Sequence, residues 1–412
     1  MAIYSVALLS TSTIVAYNVI WFSQSFQAVD ANVYRAGGST VWNSNPLYRE
    51  ALWGGLKYTY PPFSAILFAP LSLISVTTMQ TLSQIVNLIL LSCCIYISFR
   101  AVDRTLIGRP LYTRVSFVTT VSLFFEPVRT TMMLGQVNLL LMLFVLLGTV
   151  GLGGRILAPL VGIAAAIKIT PSLFIVRFAL QRDWQKFLSS IIGLVAASLA
   201  GVIILTSDSL DYFGEYSRDF SRVSFADIIG NQSIKGLVAR SLETSEPPLL
   251  SWLLPATGVL ILGIAAAYIS RSVYKNTLLN VTIYGMLATV VSPFSWEHHW
   301  VWFVPLFVCA INIFEHSRLW LTALLPIGIV LLVSSWFIHE NGGGMPSIGV
   351  ISLTLDNSLL QFMASNAYVL ITLSVIFAIL AKGISDMKCI PNYRNQSIPS
   401  QAKEYPSPLI KT

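Results

Sequence analysis

Charged side chains are scarce in this sequence. Only 10% of its 412 residues are Asp, Glu, Lys or Arg, whereas an ordinary soluble domain carries about 25%. Hydrophobic residues account for 55% of the chain. This balance excludes a typical soluble globular protein, and we expect most of the surface to face lipid.

Cysteine is also rare, and its positions indicate neither a disulfide framework nor a metal site. Cys93 and Cys94 are adjacent within one apolar run, Cys309 lies in another run and Cys389 is near the end of the chain. Structural zinc sites need ligands at characteristic spacings, which these cysteines do not supply. We therefore predict no metal site and no cofactor. The sequence also has no internal repeat of the kind found in many transporters.

Apolar runs recur from one end of the chain to the other. Clear runs cover residues 5–23, 77–99, 187–206, 250–270, 300–314, 319–338 and 360–381, and shorter or interrupted runs cover residues 62–74, 115–125, 137–152, 156–180 and 278–291. Because a membrane helix needs roughly 17 to 25 apolar residues, the pattern predicts an all-α fold, a polytopic transmembrane helical bundle of about 12 membrane helices. We also expect short interfacial helices on the outer face. We assign residues 1–384 to this domain and the polar residues 385–412 to a disordered cytoplasmic tail.

The basic residues predict the orientation of the chain. The net charge is +7, and Lys and Arg collect in the cytoplasmic loops of membrane proteins. Clusters at residues 177–186, at residues 271–275 and in the tail therefore indicate the cytoplasm. The segments that then face the exterior are 24–60, 207–248, 292–299 and 339–357. Since topology accounts for the basic residues, we predict no nucleic-acid partner.

One loop does not fit this orientation. It contains the four arginines Arg100, Arg104, Arg109 and Arg114. Simple alternation of the apolar runs places the loop outside, although its charge indicates the cytoplasm. Either the charge rule fails here or one interrupted run is re-entrant. The runs around residue 62 and residues 168–171 are the candidates, because non-helical backbone at membrane depth is tolerated where it lines a protein cavity.

A carboxylate stands at the predicted outer boundary of the membrane. Asp30 follows the first apolar run by a few residues, and Tyr34 and Arg35 lie close behind it. Asp is favoured at the start of a helix, so a capping role is the structural alternative. Tyr58 and Tyr60 fall at a similar depth, where tyrosines most often form an aromatic belt. We consider all five residues as candidates for function.

Polar residues interrupt the apolar sequence between positions 126 and 138. Glu126, Arg129, Gln136 and Asn138 are costly to place in lipid, so we expect them to face a cavity or one another. A functional role is one interpretation. An ion pair between Glu126 and Arg129, three residues apart on one helical face, is the structural alternative.

Lys168 lies deep within the apolar run 156–180. It precedes Thr170 and Pro171, and the missing amide donor of the proline breaks or kinks a helix at this point. A buried ammonium needs an anion, so a lipid phosphate is the functional hypothesis. Snorkelling of the lysine to the membrane interface is the structural alternative.

The segment 292–300, with the sequence SPFSWEHHW, is the most informative part of the chain. It places two of the four histidines side by side, at His298 and His299, between two apolar runs. Histidine can donate to a phosphate or move a proton near neutral pH. Neighbouring residues on a helix point about 100° apart, which disfavours a shared metal ion. Trp296 frames the pair on one side.

Two amides flanked by glycines occur in the predicted outer loop. Asn231 and Gln232 belong to the sequence GNQSIKG at residues 230–236. Amide side chains can donate to and accept from sugar hydroxyls. Asn231 also matches the Asn-X-Ser glycosylation pattern, which is common by chance.

Together these segments resemble the GT-C superfamily of polytopic glycosyltransferases, which use a polyprenyl-phosphate sugar. More narrowly, they resemble glycosyltransferase family 87, which includes the polyprenol-phosphate-mannose-dependent α-1,2-mannosyltransferases of phosphatidylinositol mannoside and lipomannan synthesis in the actinobacterial envelope. The resemblance rests on an ordered set of pieces, namely Asp30 with VYRAG at 33–37, YTYPP at 58–62, GQVN at 135–138, KITP at 168–171, NQS at 231–233 and SPFSWEHH at 292–299.

The resemblance implies a GT-C bundle with an active site on the outer face of the plasma membrane. It implies Asp30 as the catalytic base, with His298 and His299 in the active site. The donor would be polyprenyl-phosphate-mannose and the acceptor a glycolipid, both membrane lipids, with inversion at the anomeric carbon. The candidate substrate-binding residues are Tyr34, Arg35, Tyr58, Tyr60, Glu126, Arg129, Gln136, Asn138, Lys168, Asn231, Gln232 and Trp296.

Two alternatives stay open at the level of sequence. A polyprenyl-phosphate-arabinose-dependent arabinofuranosyltransferase would share most of these features, because the residues do not reveal the sugar. A transporter of polyprenyl lipid or polysaccharide would also be polytopic, with polar residues near the midplane. The lack of a repeat and the crowding of polar motifs toward one face favour an enzyme over a transporter.

Overall fold

The computed structural model describes residues 28–150, 153–219, 222–316, 328, 338–339 and 347–388. Within these ranges the chain is mostly helical. The predicted run at 5–23, most of the run at 319–338 and the tail from residue 389 lie outside the described residues. The last described helix runs to Lys388, past the predicted domain end at residue 384.

The secondary structure consists of helices and two small antiparallel hairpins. The helices are α1 Val29–Asn43, α2 Pro62–Phe68, α3 Val76–Val102, α4 Gly108–Ser122, α5 Glu126–Leu134, α6 Asn138–Thr149, α7 Pro159–Ile167, α8 Ser172–Leu180, α9 Trp184–Ile204, α10 Thr206–Gly214, α11 Ile234–Ser241, α12 Leu249–Ser272, α13 Thr277–Val290, α14 Phe303–His316, α15 Ser358–Ser365 and α16 Ala367–Lys388. Short 3-10 turns cover Ala69–Leu73, Tyr216–Arg218, Glu297–Trp302 and Val350–Ser352. The paired strands are β1 Ala51–Trp53 with β2 Leu56–Lys57, and β3 Ile338–His339 with β4 Ser347–Ile348.

Short polar side chains fix the starts of several helices. Ser75 accepts a hydrogen bond from the Thr78 amide at 3.1 Å and begins α3. Asn276 accepts from the Leu279 amide at 2.9 Å and begins α13. Each bond satisfies an amide that has no partner within the helix, which sets where the apolar helix begins.

Three described helices, α3, α9 and α12, are long and apolar enough to cross a membrane. The pairs α5–α6 and α15–α16 are bent by 118° and 80°, and counting each pair as one span gives up to five. The expected number of about 12 membrane helices is therefore not confirmed in the described part of the chain. On α9 an apolar stripe of Leu188, Ile192, Leu199 and Ile203 faces outward, as in a helix that contacts lipid. The protein is a multi-pass membrane protein.

Two breaks in the bundle position polar side chains. The α5–α6 bend occurs at Gly135, whose φ is +66°. A Cβ atom there would lie only 2.7 Å from that of Ala31 on α1, so glycine provides both the turn and the space for α1. The second break follows Ile167, where Lys168 is extended before Pro171 precedes α8. The predicted helix break at residues 168–171 is confirmed.

The segment 60–74 starts and ends beside α1. At its start, the hydroxyl oxygens of Tyr60 and Tyr34 lie 3.0 Å apart. At its end, Arg35 Nε donates to the carbonyl of Ile74 at 3.3 Å. The segment thus returns to the side of the bundle from which it came. This arrangement favours a re-entrant run around residue 62 over a local failure of the charge rule.

The arginine-rich loop lies at the far end of the bundle from the segment 292–300. Arg114 forms an ion pair with Glu315 at 2.7 Å, near the end of α14, which starts just after that segment. Arg177 Nε donates to Asn280 Oδ1 at 2.7 Å, near the start of α13, which ends just before it. Both basic clusters therefore lie at one end of these helices, and the histidine pair lies at the other.

Candidate active site

Five parts of the chain meet at the end of the bundle that holds the histidines. They are the start of α1, the tyrosine segment 58–62, the α5–α6 turn, the α7–α8 break and the 3-10 turn Glu297–Trp302. At each of these places a helix starts, ends or reverses its direction. The side chains there can therefore contact side chains from the other four parts. The predicted residues that are brought together are Asp30, Tyr34, Tyr60, Gln136, Asn138, Lys168, His298 and His299. These residues are called the polar cluster below.

Gln136 is the centre of one half of the polar cluster. Its Oε1 atom accepts hydrogen bonds from the hydroxyls of Tyr34 at 2.8 Å and Tyr60 at 3.4 Å. Its side chain also donates to the carboxylate of Asp30. Because Gln136 directly follows the turn at Gly135, the α5–α6 bend is what aims this amide at α1.

Lys168 is the centre of the other half. Its ammonium donates to Asn138 Oδ1 at 3.1 Å and to His299 Nε2 at 2.7 Å. The same nitrogen lies 5.4 Å from the ring centroid of Tyr60, within range of a cation–π contact. Its positive charge also acts on the Asp30 carboxylate. A carboxylate and an ammonium thus share one small polar space inside an apolar bundle.

The backbone of the histidine pair is held by side chains of α5 and α6. Thr131 Oγ1 and Asn138 Nδ2 donate to the carbonyl of His298, at 3.2 and 2.9 Å. Asn138 therefore has two roles, because its oxygen accepts from Lys168. The position of the 3-10 turn and the position of the ammonium are fixed by the same amide.

Asn231 and Gln232 brace the segment 292–300 from the other side. Asn231 Oδ1 accepts from the Ser295 amide at 3.0 Å, and the Gln232 amide donates to the Ser295 carbonyl at 2.7 Å. The side chain of Gln232 also donates to the carbonyl of Ser365 at 2.8 Å. Both residues are completely buried, so they lie behind the polar cluster and not on an open surface.

Arg35 and Tyr58 are not part of the polar cluster. Arg35 donates to the carbonyls of Ser72 and Ile74 and so joins α1 to the start of α3. The hydroxyls of Tyr58 and Ser64 lie 2.6 Å apart. These contacts tie the two predicted residues to the surrounding fold.

Glu126, Arg129 and Trp296 lie next to the polar cluster. The buried carboxylate of Glu126 accepts a hydrogen bond from the hydroxyl of Tyr368. Arg129 is on α5, which packs against the 3-10 turn Glu297–Trp302. The ring of Trp296 is stacked with that of His298 at a centroid distance of 6.4 Å.

Burial changes the proton affinities of the ionisable groups. It raises the pKa of Asp30 to about 6, although the hydrogen bond from Gln136 and the charge of Lys168 act in the opposite direction. Burial and the charge of Lys168 lower the pKa of both His298 and His299. At neutral pH the site therefore combines an ionised carboxylate with two neutral imidazoles.

Sequence reasoning missed three residues of this region. Thr131 and Tyr368 lie in apolar helices, and only their partners in the fold show that they hold the histidine carbonyl and the Glu126 carboxylate. Glu297 lies directly before the histidine pair in the segment 292–300, and this position is its one signal in the sequence.

The chain is similar to known glycosyltransferases. Residues 58–293 match glycosyltransferase family 87. The chain is 33% identical to the polyprenol-phosphate-mannose-dependent alpha-(1-2)-phosphatidylinositol mannoside mannosyltransferase of Mycolicibacterium smegmatis, over 74% of each chain. The chain belongs to glycosyltransferase family 87. As a member of this family it is a glycosyltransferase, and the transporter alternative is wrong.

Two further similarities accompany this match. This chain is also 30% identical to the polyprenol-phosphate-mannose-dependent alpha-(1-2)-phosphatidylinositol pentamannoside mannosyltransferase of Mycobacterium tuberculosis, over 69% of this chain and 66% of that one. Its backbone also has a TM-score of 0.45 to ArnT from Cupriavidus metallidurans bound to undecaprenyl phosphate, with 14% identity, over 90% of this chain and 71% of that one.

The pKa of Asp30 predicts the pH dependence of this glycosyltransferase. Asp30, the predicted base, can accept a proton only when it is ionised, so kcat/KM should rise with pH through about 6. Below that point we expect a fall of up to about tenfold per pH unit. Burial lowers the pKa of Lys168 to about 7 although the charge of Asp30 acts in the opposite direction, so kcat/KM should fall again above about 7 as the ammonium loses its proton. The test combines the pH profile of transfer with infrared spectroscopy of the protonated carboxyl. A flat profile across this range, or an identical carboxyl band in Asp30→Asn, would contradict the prediction.

Proposed function

We propose that this protein transfers a mannosyl residue from polyprenyl-phosphate-mannose to a phosphatidylinositol mannoside or related lipid-linked mannoside, with inversion at the anomeric carbon. The names of the two mannosyltransferases described above support the donor and acceptor classes. The observation that carries the proposal is the position of Asp30 in one polar cluster with Lys168 and His299. This arrangement offers a base and a cation to the two ends of one displacement.

Asp30 acts as the general base in this proposal. A hydroxyl of the acceptor attacks the anomeric carbon, a new carbon–oxygen bond forms, and the hydroxyl proton passes to the Asp30 carboxylate. The hydrogen bond from Gln136 orients the carboxylate. With a pKa of about 6, Asp30 is ionised at neutral pH and still a better proton acceptor than an exposed aspartate.

Lys168 and His299 stabilise the leaving group. As the bond from the anomeric carbon to the phosphate oxygen breaks, the electron pair stays with the phosphate, which leaves as polyprenyl phosphate. An ammonium is well suited to the developing negative charge. Because a phosphate leaves readily as an anion, the reaction needs no second carboxylic acid of the kind used by glycosidases.

A single displacement inverts the anomeric centre. A β-linked mannosyl phosphate then gives an α-mannoside, as the α-(1-2) linkage in the relatives' names requires of their products. The same chemistry with a polyprenyl-phosphate arabinofuranose is the main competing assignment, and the sugar in the product distinguishes the two.

We also propose that the polar cluster faces the outside of the plasma membrane. Both basic clusters of the bundle lie at the end opposite the histidines, and basic ends of membrane proteins are usually cytoplasmic. The re-entrant segment 60–74 supports this orientation because it brings the arginine-rich loop to the basic end.

Replacement of the proposed base tests the reaction. Membranes that carry wild type or Asp30→Asn are incubated with radiolabelled polyprenyl-phosphate-mannose and a phosphatidylinositol mannoside. We expect a 1,2-linked α-mannoside from wild type and a loss of about 100- to 10,000-fold in the variant, because a general base contributes this much. The matched control is Asp211→Asn, which removes a half-buried carboxylate paired with the exposed Arg49 and should retain activity.

Three outcomes would count against the proposal. Full activity of Asp30→Asn would remove Asp30 as the base. Transfer of arabinofuranose but not mannose would change the donor, and retention of anomeric configuration would exclude a single displacement.

Cysteine accessibility tests the orientation. In a background without the native cysteines, Ser245→Cys reports on the histidine end. Ser245 is exposed, and its carbonyl accepts from the amide of Ala226 at 3.0 Å. The carbonyl of Ala226 accepts from Asn231, the residue that binds Ser295. Arg104→Cys reports on the basic end, where Arg104 is exposed. We expect an impermeant thiol reagent to label only the first variant in intact cells and both after lysis. The reverse pattern would place the site in the cytoplasm.

A further inference from the structure

The segment 295–300 contains an unusual concentration of buried polar atoms without hydrogen-bond partners. Six such side-chain atoms fall in this short segment of the described chain. They are Ser295 Oγ, Glu297 Oε2, Nδ1 and Nε2 of His298, His299 Nδ1 and Trp300 Nε1. Buried polar groups without partners destabilise a fold, and most native proteins contain few of them. Of these residues, Trp300 packs against Phe303 and Tyr368, whereas Glu297 and His298 lie close enough to the polar cluster for the charges of Asp30 and Lys168 to act on them. The unpartnered atoms of Glu297 and His298 are therefore the ones available to a polar ligand in the site.

The ring nitrogens of the two histidines differ in their hydrogen-bond partners. His299 Nε2 accepts from Lys168 at 2.7 Å, which assigns it to the phosphate end of the site. Neither ring nitrogen of His298 is hydrogen-bonded. The two rings are nearly perpendicular, with an interplanar angle of 85° and a centroid distance of 4.7 Å. His298 is thus free to bind another part of the substrate.

Glu297 is held close to the polar cluster. A Cβ atom at Gly230 would lie 3.0 Å from Glu297 Oε2 and 2.9 Å from the ring of Trp296. The absence of a side chain at Gly230 therefore leaves the space that these two residues occupy. The charge of Asp30 acts on Glu297, so the two carboxylates are near enough to interact. Burial, with the charge of Asp30, raises the pKa of Glu297 to about 7.

The chemistry of Glu297 indicates which part of the donor, the phosphate or the sugar, it would contact. A second carboxylate beside Asp30 repels a phosphate, so Glu297 does not belong to the phosphate site. A carboxyl oxygen and a neutral imidazole, which offers one donor and one acceptor, match hydroxyls that both donate and accept. A neutral polyol satisfies these atoms without adding charge. The sugar is the part of the donor with this chemistry.

We propose that Glu297 and His298 bind hydroxyl groups of the sugar that is transferred, and that Glu297 determines which sugar is accepted. The inference rests on the proposed function, and it assigns the two histidines to different parts of the donor. His299, with Lys168, contacts the phosphate, while His298, with Glu297, contacts the sugar. Trp296, stacked on His298, supports the imidazole from behind.

Donors that lack single hydroxyl groups test this assignment. Polyprenyl-phosphate-mannose and its 2-, 3-, 4- and 6-deoxy forms are compared with wild type, Glu297→Ala and Glu297→Gln. We expect wild type to lose roughly 10- to 100-fold in kcat/KM with at least one deoxy donor, as for a hydrogen bond to a charged group. For Glu297→Ala we expect kcat/KM with the complete donor to fall by a similar factor. Removal of the same hydroxyl from the donor should then cause no further loss in this variant. Removal of any other hydroxyl that lowers kcat/KM in wild type should lower it by the same factor in Glu297→Ala.

The affinity for polyprenyl phosphate without a sugar separates recognition from a structural role. We expect Glu297→Ala and Glu297→Gln to bind it within about twofold of wild type, since the phosphate site is intact. Glu215→Ala, which removes an exposed carboxylate, is the matched control and should behave as wild type. Should Glu297→Ala fail to fold, Gly230→Ala adds a Cβ atom that crowds both Glu297 Oε2 and the ring of Trp296, and it should reduce the same deoxy penalty.

The possible failures are distinguishable. If wild type is inactive with the mannose donor but active with another sugar, the proposed function is wrong, and the deoxy series of that sugar tests Glu297. If wild type is active with mannose and every deoxy penalty persists in Glu297→Ala, this inference alone is wrong. An equal loss of affinity for polyprenyl phosphate would also overturn it, because the role of Glu297 would then be structural.

Discussion

The ammonium of Lys168 is the group on which the rest of the site depends. A charged amine inside an apolar bundle must be given polar partners, and Lys168 obtains them from separate parts of the chain. Asn138 and His299 accept its hydrogen bonds, and Asp30 supplies the opposite charge. Because the ammonium needs these partners, α1, the α5–α6 turn and the 3-10 turn lie together around it. The stability of the buried ammonium and the proposed catalytic arrangement therefore have a common origin, because a space that stabilises an ammonium beside a carboxylate is also suited to a phosphate sugar.

Breaks in the helices make this arrangement possible. A continuous helix directs its side chains into helix–helix contacts or lipid, whereas α5 ends just before Gly135, α7 ends at Ile167 and α8 begins after Pro171, all inside the bundle. Lys168 and Gln136 project from these breaks and approach the same two residues, Asp30 and Tyr60. Close packing elsewhere keeps the breaks in place. Gly162 on α7 lies against the backbone of Ser190 on α9, where a Cβ atom would be 1.9 Å from the carbonyl oxygen. Such small-residue contacts are typical of membrane helices and give α7, which leads to Lys168, a rigid support.

Much of the polar cluster was predictable because polar residues stand out in apolar sequence. Lys168, Gln136 and the histidine pair were identified on this basis, and the structure brings them together. The roles of the amides were not predictable in the same way. Asn231 looked like a sugar contact, but it is buried against Ser295, more than sixty positions along the chain. The number of crossings was equally difficult, since hydropathy does not reveal that segment 60–74 starts and ends beside one helix. In each case the missing information is a contact between distant parts of the chain.

In the proposed reaction the phosphate of the donor binds between Lys168 and His299, with the anomeric carbon facing Asp30. The most direct measurement is a cryo-electron microscopy structure of the Asp30→Asn variant with polyprenyl-phosphate-mannose bound. We expect the phosphate within hydrogen-bond distance of the Lys168 ammonium and the His299 imidazole, and the anomeric carbon on the side of residue 30. A phosphate bound at the arginine-rich end of the bundle, or a sugar separated from residue 30 by protein, would contradict the account.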